Sequence, residues 1–80
     1  MPVRWVTNGG EIYNAERVLR VLGNIIVLYV QVESLGESGW DWHIWEQSGI
    51  GLQRYGLAGT LLGAMARAEV ALDALARELG

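Results

Sequence analysis

His43, the only histidine of the chain, lies two residues after Asp41 in the stretch WDWHIWEQ, residues 40–47. This stretch alternates with a period of two, which is typical of a half-buried strand, so Asp41 and His43 point to the same side. Glu33, on the preceding strand, would join them there. One imidazole and two carboxylates can bind a divalent metal or perform acid–base catalysis. On a flat sheet they form a weak ligand set with no pocket that excludes water, so we predict no metal, no cofactor and no enzymatic activity.

The strand before this stretch sets the position of these residues. Asn24–Ser34 is rich in β-branched residues, and the polar link over residues 35–39 predicts a hairpin. We predict the register in which Ser34 pairs with Trp40, because a shift of one residue would place tryptophans opposite polar residues. This register also pairs Val32 with Trp42, Val30 with Ile44, Tyr29 with Trp45, Gln31 with His43 and Glu33 with Asp41.

The hairpin face that bears His43 is polar and aromatic. Glu33 opposite Asp41 is a like-charge pair, which costs stability unless a cation lies nearby. One interpretation is a solvated sheet face with a neighbouring arginine. The other is a binding face with Tyr29 and Trp45 at its centre and carboxylates at its rim, and this is the interpretation we develop. The predicted partner-binding residues are Tyr29, Gln31, Glu33, Asp41, His43, Trp45 and Arg54.

A further strand is predicted after the glycine-rich turn that follows Gln47. With a loop of two or four residues, Tyr55 and Leu57 would join the apolar face of the hairpin, and Arg54 would lie on the outer face. In the four-residue case Arg54 lies beside Trp45, within reach of a cation–π contact. A three-residue loop would push Arg54 into the core, so we reject it.

The C-terminal segment reads as one helix. Thr60 is a good N-cap residue, and apolar residues recur at helical spacing as far as Leu79. We expect this stripe to cover the tryptophan face of the sheet, and we expect Asp73 and Arg77 to form an i,i+4 ion pair. The stripe consists of Leu61, Met65, Ala68, Leu72, Leu75 and Leu79.

The back of this helix carries small or apolar residues where a solvated helix normally carries charges. They either form a homodimer face or a partner site, or reflect only the high helix propensity of alanine. The residues of this predicted oligomer face are Gly63, Ala66, Val70 and Ala74.

The N-terminal part is the least determined by its pattern. Residues 2–7 predict a short strand, and Asn8-Gly9-Gly10 predicts a turn. Residues 11–22 fit either a helix, with apolar residues on one stripe, or a strand between two turns, and we favour the helix. The predicted fold is therefore α+β: an antiparallel sheet of three to four strands packed against one long C-terminal helix, with a short N-terminal helix, in a single domain over residues 1–80.

Composition restricts the class of partner. The 80 residues carry no cysteine, a net charge of −3 and six basic residues, all of them arginines scattered along the chain. A nucleic-acid-binding protein usually has a basic patch, so a protein partner is the better candidate. No stretch approaches the roughly 20 apolar residues of a membrane span, and the start does not resemble a secretory signal. We therefore expect a cytoplasmic protein with no membrane partner.

Residues 39–75 resemble a recurrent type of small phage or prophage protein, in which a W-x-W strand precedes a G-x-A-x-T-x-x-x-A-x-x-x-A-E-x-A-L helix. Some small acidic phage proteins of this size are anti-CRISPR or other anti-defence inhibitors that cover a surface of a host complex. The resemblance implies a non-enzymatic inhibitor of a host defence complex in the bacterial host cell. The matching residues are Trp40, Trp42, Gly56, Ala58, Thr60, Ala64, Ala68, Glu69, Ala71 and Leu72.

Two other functions fit the same sequence. A homo-oligomeric structural or scaffold protein would use the small-residue back of the helix. A nucleic-acid-binding module would stack bases on Tyr29 and Trp45, and it would need arginines from both ends of the chain to converge.

Overall fold

A computed structural model describes residues 3–47 and 53–79 of the chain. In these residues five antiparallel strands form one sheet in the order β1-β2-β3-β4-β5, and one long helix packs against it. The elements are β1 (Val6–Thr7), β2 (Ile12–Val21), β3 (Asn24–Ser34), β4 (Trp40–Glu46), β5 (Gln53–Ala58) and α1 (Leu61–Leu79), with a 3₁₀ turn at Gly36–Ser38. The predicted α+β class and the C-terminal helix are confirmed, with five strands rather than three or four.

The β3–β4 hairpin is the centre of the fold, and it has the predicted register. Ser34 pairs with Trp40, Tyr29 pairs with Trp45, and the pairs between them follow as expected. Every second side chain of this hairpin points to α1, and four of them, Leu28, Val30, Val32 and Ile44, are fully buried. β3 also pairs with β2 along its other edge, so it is the central strand of the sheet.

The predicted N-terminal helix over residues 11–22 is wrong, since this segment forms β2 and pairs with β3 along its whole length. Tyr13, Ala15 and Leu19 alternate toward the α1 side and pack against the core. Long-range pairing decides between the two conformations. A helix here would leave one edge of β3, a strand of 11 residues, without backbone hydrogen-bond partners.

The turn between β1 and β2 is closed by Thr7. Its hydroxyl donates to the carbonyl of Ile12 at 2.8 Å and accepts from the N–H of Gly10 at 3.0 Å. The strand predicted over residues 2–7 is confirmed only at Val6–Thr7, and Pro2 lies outside the described residues.

The turn between β2 and β3 consists of Leu22 and Gly23. Both residues have positive φ, at 50° and 83°, as the favoured two-residue hairpin turn requires. Glycine adopts this conformation freely, whereas a leucine there is strained. The Leu22 side chain is 96% exposed, so no packing contact offsets that strain.

β5 presents the opposite face from the one predicted. Arg54 lies on the α1 side of the sheet, whereas Tyr55 and Leu57 lie on the other side. Arg54 is not buried there, because it lies at the rim of an edge strand and its Nη2 donates to Glu78 Oε2 of α1 at 3.1 Å. The loop lengths weighed for this connection concern residues 48–52, which lie outside the described ranges.

The ring of Trp42 explains why β5 turns its small residues toward the helix. The indole lies against Gly56, where an added Cβ would be 2.7 Å from three of its atoms. The ring itself fills the space that the larger residues of β5 were expected to occupy. The inner side of β5 must therefore be small beside the ring, and Tyr55 and Leu57 face outward.

α1 covers the inner face of the sheet as predicted. Thr60 Oγ1 accepts the N–H of Gly63 at 3.0 Å, which confirms the N-cap. Asp73 does not form the predicted pair with Arg77; it accepts a short charged hydrogen bond from Arg17 of β2. No helix in the described part of the chain is both long and apolar enough to span a membrane. Of the predicted stripe and its neighbours, the buried residues are Ala64, Ala68, Leu72 and Leu75, and the partly buried ones are Leu61, Met65 and Leu79.

Candidate functional site

The sheet face that points away from α1 is here named the outer face. The strand registers arrange its side chains in rows that run across the strands. The acidic row is Ile12, Glu33, Asp41 and Leu57; the next row is Val6, Asn14, Gln31, His43 and Tyr55; the central row is Glu16, Tyr29, Trp45 and Gln53. Beyond them the β2–β3 hairpin carries Val18 opposite Val27 and Arg20 opposite Ile25.

Four aromatic rings form a continuous chain across the middle of the outer face. Tyr29 and Trp45 have ring centroids 5.7 Å apart, and Trp45 and His43 have centroids 5.5 Å apart in an edge-on arrangement. His43 and Tyr55 continue the chain at 6.4 Å. These separations lie in the range of favourable aromatic pairs. These ring-to-ring contacts hold the four side chains in place.

Exposed apolar side chains are spread over the outer face, and the ring of Tyr55 is one of them. α1 covers the inner face, and a large apolar side chain on the outer face therefore stays in contact with water unless a partner covers it. Large apolar side chains exposed on one face make that face a candidate interaction site. Six large apolar side chains that are exposed lie on this face, namely Val6, Ile12, Val18, Ile25, Tyr55 and Leu57.

A cleft of about 500 Å³ lies between β1 and the Tyr29–Trp45 pair. Its walls carry Arg4 and Glu16, so the aromatic floor has charges of both signs at its edge. Arg4 and Glu16 are not among the predicted site residues. A helix over residues 11–22 gives Glu16 no place on a sheet face and gives the strand that follows Arg4 no neighbour there. Alternation of side chains along a strand over these residues would have placed Glu16 on the outer face.

The carboxylates lie at one end of the outer face. Glu33 and Asp41 are directly opposite each other, as predicted, with Ile12 and Leu57 on either side of them. Arg54 cannot relieve their repulsion, because it lies on the other face of the sheet. In residues 3–47 and 53–79, no three or more histidine, aspartate or glutamate side chains are grouped closely enough to hold a metal ion.

Six of the seven predicted partner-binding residues lie together on the outer face, and Arg54 is the exception. Gln31 is held by the amide of Asn14, since its Nε2 donates to Asn14 Oδ1 at 3.2 Å. Tyr55 and Leu57 take the place on this face that was predicted for Arg54. The observed surface is therefore more apolar and less basic than the predicted one.

The back of α1 is only partly open. Ala66 and Val70 are exposed, whereas Gly63 and Ala74 are half-buried. A shallower groove of about 340 Å³ runs beside this back, with Trp42 among its walls and Arg67, Val70, Ala71 and Ala74 of α1 along it. The indole N–H of Trp42 is buried and has no acceptor among the described residues.

Comparison of the chain with protein-family models, with curated proteins and with solved structures finds no match.

Proposed function

We propose that this chain is a non-enzymatic protein-binding module that uses its outer face as the docking surface. The observation that carries the proposal is the aromatic chain Tyr29–Trp45–His43–Tyr55 on a sheet face that α1 leaves open. Tyrosine and tryptophan dominate the energetics of protein interfaces, because they bury a large area at a low cost in side-chain entropy. A ready-made row of such rings is what a docking surface requires.

The apolar and acidic residues around the rings support the same proposal. Val18, Ile25 and Leu57 surround the aromatic chain with surface that gains free energy when it leaves water. Glu33 and Asp41 add negative charge at one end, which complements arginines or lysines of a partner. Apolar area would supply the affinity, and the carboxylates would orient the partner.

The surroundings of His43 favour binding over catalysis. His43 is the residue best suited to acid–base chemistry, but its neighbours in the structure are the rings of Trp45 and Tyr55. A ring that packs edge-on against other rings contributes buried area to an interface. We assign His43 this role, between Trp45 and Tyr55, which are the two stronger anchors.

Site-specific photo-crosslinking tests the proposal. Benzoylphenylalanine placed at Tyr55, which is 76% exposed on the outer face, is compared with the same group at Leu62, which is 77% exposed on α1. In cells or lysate we expect protein adducts from Tyr55 and not from Leu62, and we expect Trp45→Ala to remove them. Equal labelling at both positions, or none at Tyr55, would overturn the proposal.

A narrower identity is also proposed: an inhibitor of a host defence complex, encoded by a phage or mobile element and acting in the host cytoplasm. It rests on the resemblance of residues 39–75 and on the small, acidic character of the chain. A phage-plating assay on a CRISPR-positive bacterial host tests it. The wild type should restore plating, and Trp45→Ala should not; failure of the wild type to protect phage contradicts this identity alone.

A second candidate function is a homo-oligomeric scaffold that uses the back of α1. The observation that favours it is Val70, which is 68% exposed beside the apolar groove at Trp42. Val70→Glu would place a charge in that contact and convert oligomers to monomers, as measured by light scattering. An unchanged mass would exclude this face as the contact.

A further inference from the structure

We infer that the occupant of the outer face is a second copy of this chain, packed sheet against sheet about a two-fold axis that reverses the strand direction. This inference rests on the proposed function, since both require the outer face to be a docking surface. Three observations carry it: the total accessible area, the distribution of charge along the strands, and the position of the aromatic chain.

The accessible area of the molecule is large for its mass. The chain exposes 5370 Å², whereas a compact monomer of 8.8 kDa exposes about 4,800 Å². The molecule is elongated, with extents of 43 × 24 × 21 Å. The excess of about 600 Å² is most of the roughly 800 Å² that a specific interface buries on each partner. A second copy on the outer face would remove that excess.

The charges on the outer face are segregated along the strands. Glu33 and Asp41 lie at one end, and Arg20 lies at the other end, on the part of the β2–β3 hairpin that extends beyond β4. None of these three side chains has an ion-pair partner among the described residues. Arg4 and Glu16 lie between these ends, in the cleft beside Tyr29 and Trp45. The two ends of the face are therefore complementary to those of an inverted copy.

Two symmetric ways of stacking the outer faces are possible. With the two-fold axis parallel to the strands, Glu33 of one copy would lie on Glu33 of the other, and like charges would repel. With the axis perpendicular to the strands, the acidic row of each copy approaches Arg20 of the other. Glu16 of the central row then faces Glu16 of the other copy, with Arg4 of each copy in the same cleft. Only this second arrangement brings opposite charges together, so charge selects it; it is isologous and closed, as in most homodimers.

The same arrangement places the aromatic pair on the symmetry axis. Tyr29 and Trp45 belong to the central row, so the rings of the two copies meet each other at the middle of the interface. Val18 and Ile25 of each hairpin then lie against the outer face of the other copy instead of water. Packed sheets keep about 10 Å between them and align within about 30°, and residues of this size fill that space.

Sedimentation velocity of the full chain over a concentration series is the test. We expect a dimer, and we expect Arg20→Glu and Glu33→Arg each to weaken it at least about tenfold, because each places like charges together. The double variant Arg20→Glu/Glu33→Arg restores the opposite charges and should dimerise as the wild type does. Arg77→Glu, on α1, is the control that makes the same charge change away from the interface. Circular dichroism checks that every variant is folded.

Each result supports or overturns the inference. A double variant that dimerises when both single variants do not supports the inverted sheet-to-sheet dimer. A wild type that remains monomeric overturns it, as do single variants without effect or a double variant that is not rescued. The proposed function is tested separately by crosslinking from position 55. An adduct with a different protein supports the outer face as a docking surface, and the absence of any adduct overturns it.

Discussion

Trp42 and Trp45 lie three positions apart on β4, and their side chains point to opposite faces of the sheet. Trp42 packs against the core, so Trp42→Ala should destabilise the fold by about 3 kcal/mol. Trp45 packs with Tyr29 and His43 on the outer face, away from the core, so Trp45→Ala should cost about 1 kcal/mol or less and should mainly weaken binding. Urea unfolding followed by circular dichroism measures both effects. The reverse order of destabilisation would mean that the two faces are assigned the wrong way round.

The contact between Trp42 and Gly56 leads to a second prediction at the level of one residue. A Cβ at position 56 would lie 2.7 Å from the indole, so Gly56→Ala forces the ring to move. We expect a loss of about 1–3 kcal/mol in the free energy of unfolding, which is typical of overpacking. Gly59→Ala is the matched control, because an added Cβ there meets no atom within 4 Å. Equal effects of the two substitutions would contradict the close contact.

At the scale of elements, the β2–β3 turn contains a correctable strain. Leu22 has a φ of 50° and is almost fully exposed, whereas asparagine tolerates this left-handed conformation. Leu22→Asn should therefore raise the stability by about 0.5–1 kcal/mol, measured as an increase in melting temperature. Leu35→Asn removes a leucine at ordinary φ, −107°, and should bring no such gain. A decrease in stability for Leu22→Asn would show that Leu22 makes a contact that outweighs the strain.

The Arg17–Asp73 pair joins β2 to α1 and makes their packing depend on pH. The hydrogen bond from Arg17 lowers the pKa of Asp73 below its ordinary value of 3.8, and the positive charges of Arg17 and Arg77 act in the same direction. A carboxylate whose pKa is lower in the folded state than in the unfolded state stabilises the fold at pH values above the unfolded-state pKa. This contribution is lost as the pH falls through the folded-state pKa. Asp73→Asn should therefore be less stable than the wild type near neutral pH. The difference should shrink below pH 3.8, as acid titration of unfolding would show.

The elements differ in how far the sequence predicts them. The register of β3 and β4 is predictable, because only one alignment keeps the apolar residues on one face. The conformation of residues 11–22 is not, since their pattern fits both a helix and a strand and the free edge of β3 decides between them. The facing of β5 depends on the position of the Trp42 ring over Gly56, which no local pattern contains. Six of the predicted residues consequently lie on the outer face, whereas Arg54 lies on the other side and Tyr55 and Leu57 take its place.

At the scale of the whole molecule, one helix can cover only one side of a five-stranded sheet. A chain of this size buries only about 60–65% of the surface of its unfolded state, so its stability is marginal, and an uncovered apolar face adds little to it. A dimer through the outer faces would give each sheet a second covered side, in the layer order helix, sheet, sheet, helix. The back of α1, with Val70 and the groove at Trp42, would remain outside on both ends and free to contact other proteins.

This arrangement predicts that stability depends on protein concentration. Association of the folded chains stabilises them by mass action, so the melting temperature of the wild type should rise with concentration. Trp45→Glu places two charges near the two-fold axis and should abolish that dependence, because a buried unpaired carboxylate opposes association. Val70→Glu changes an exposed residue on α1 and should leave the dependence intact. Differential scanning calorimetry over a dilution series distinguishes the two variants: a dependence that Val70→Glu abolishes and Trp45→Glu spares would place the dimer contact on the helix instead of the sheet.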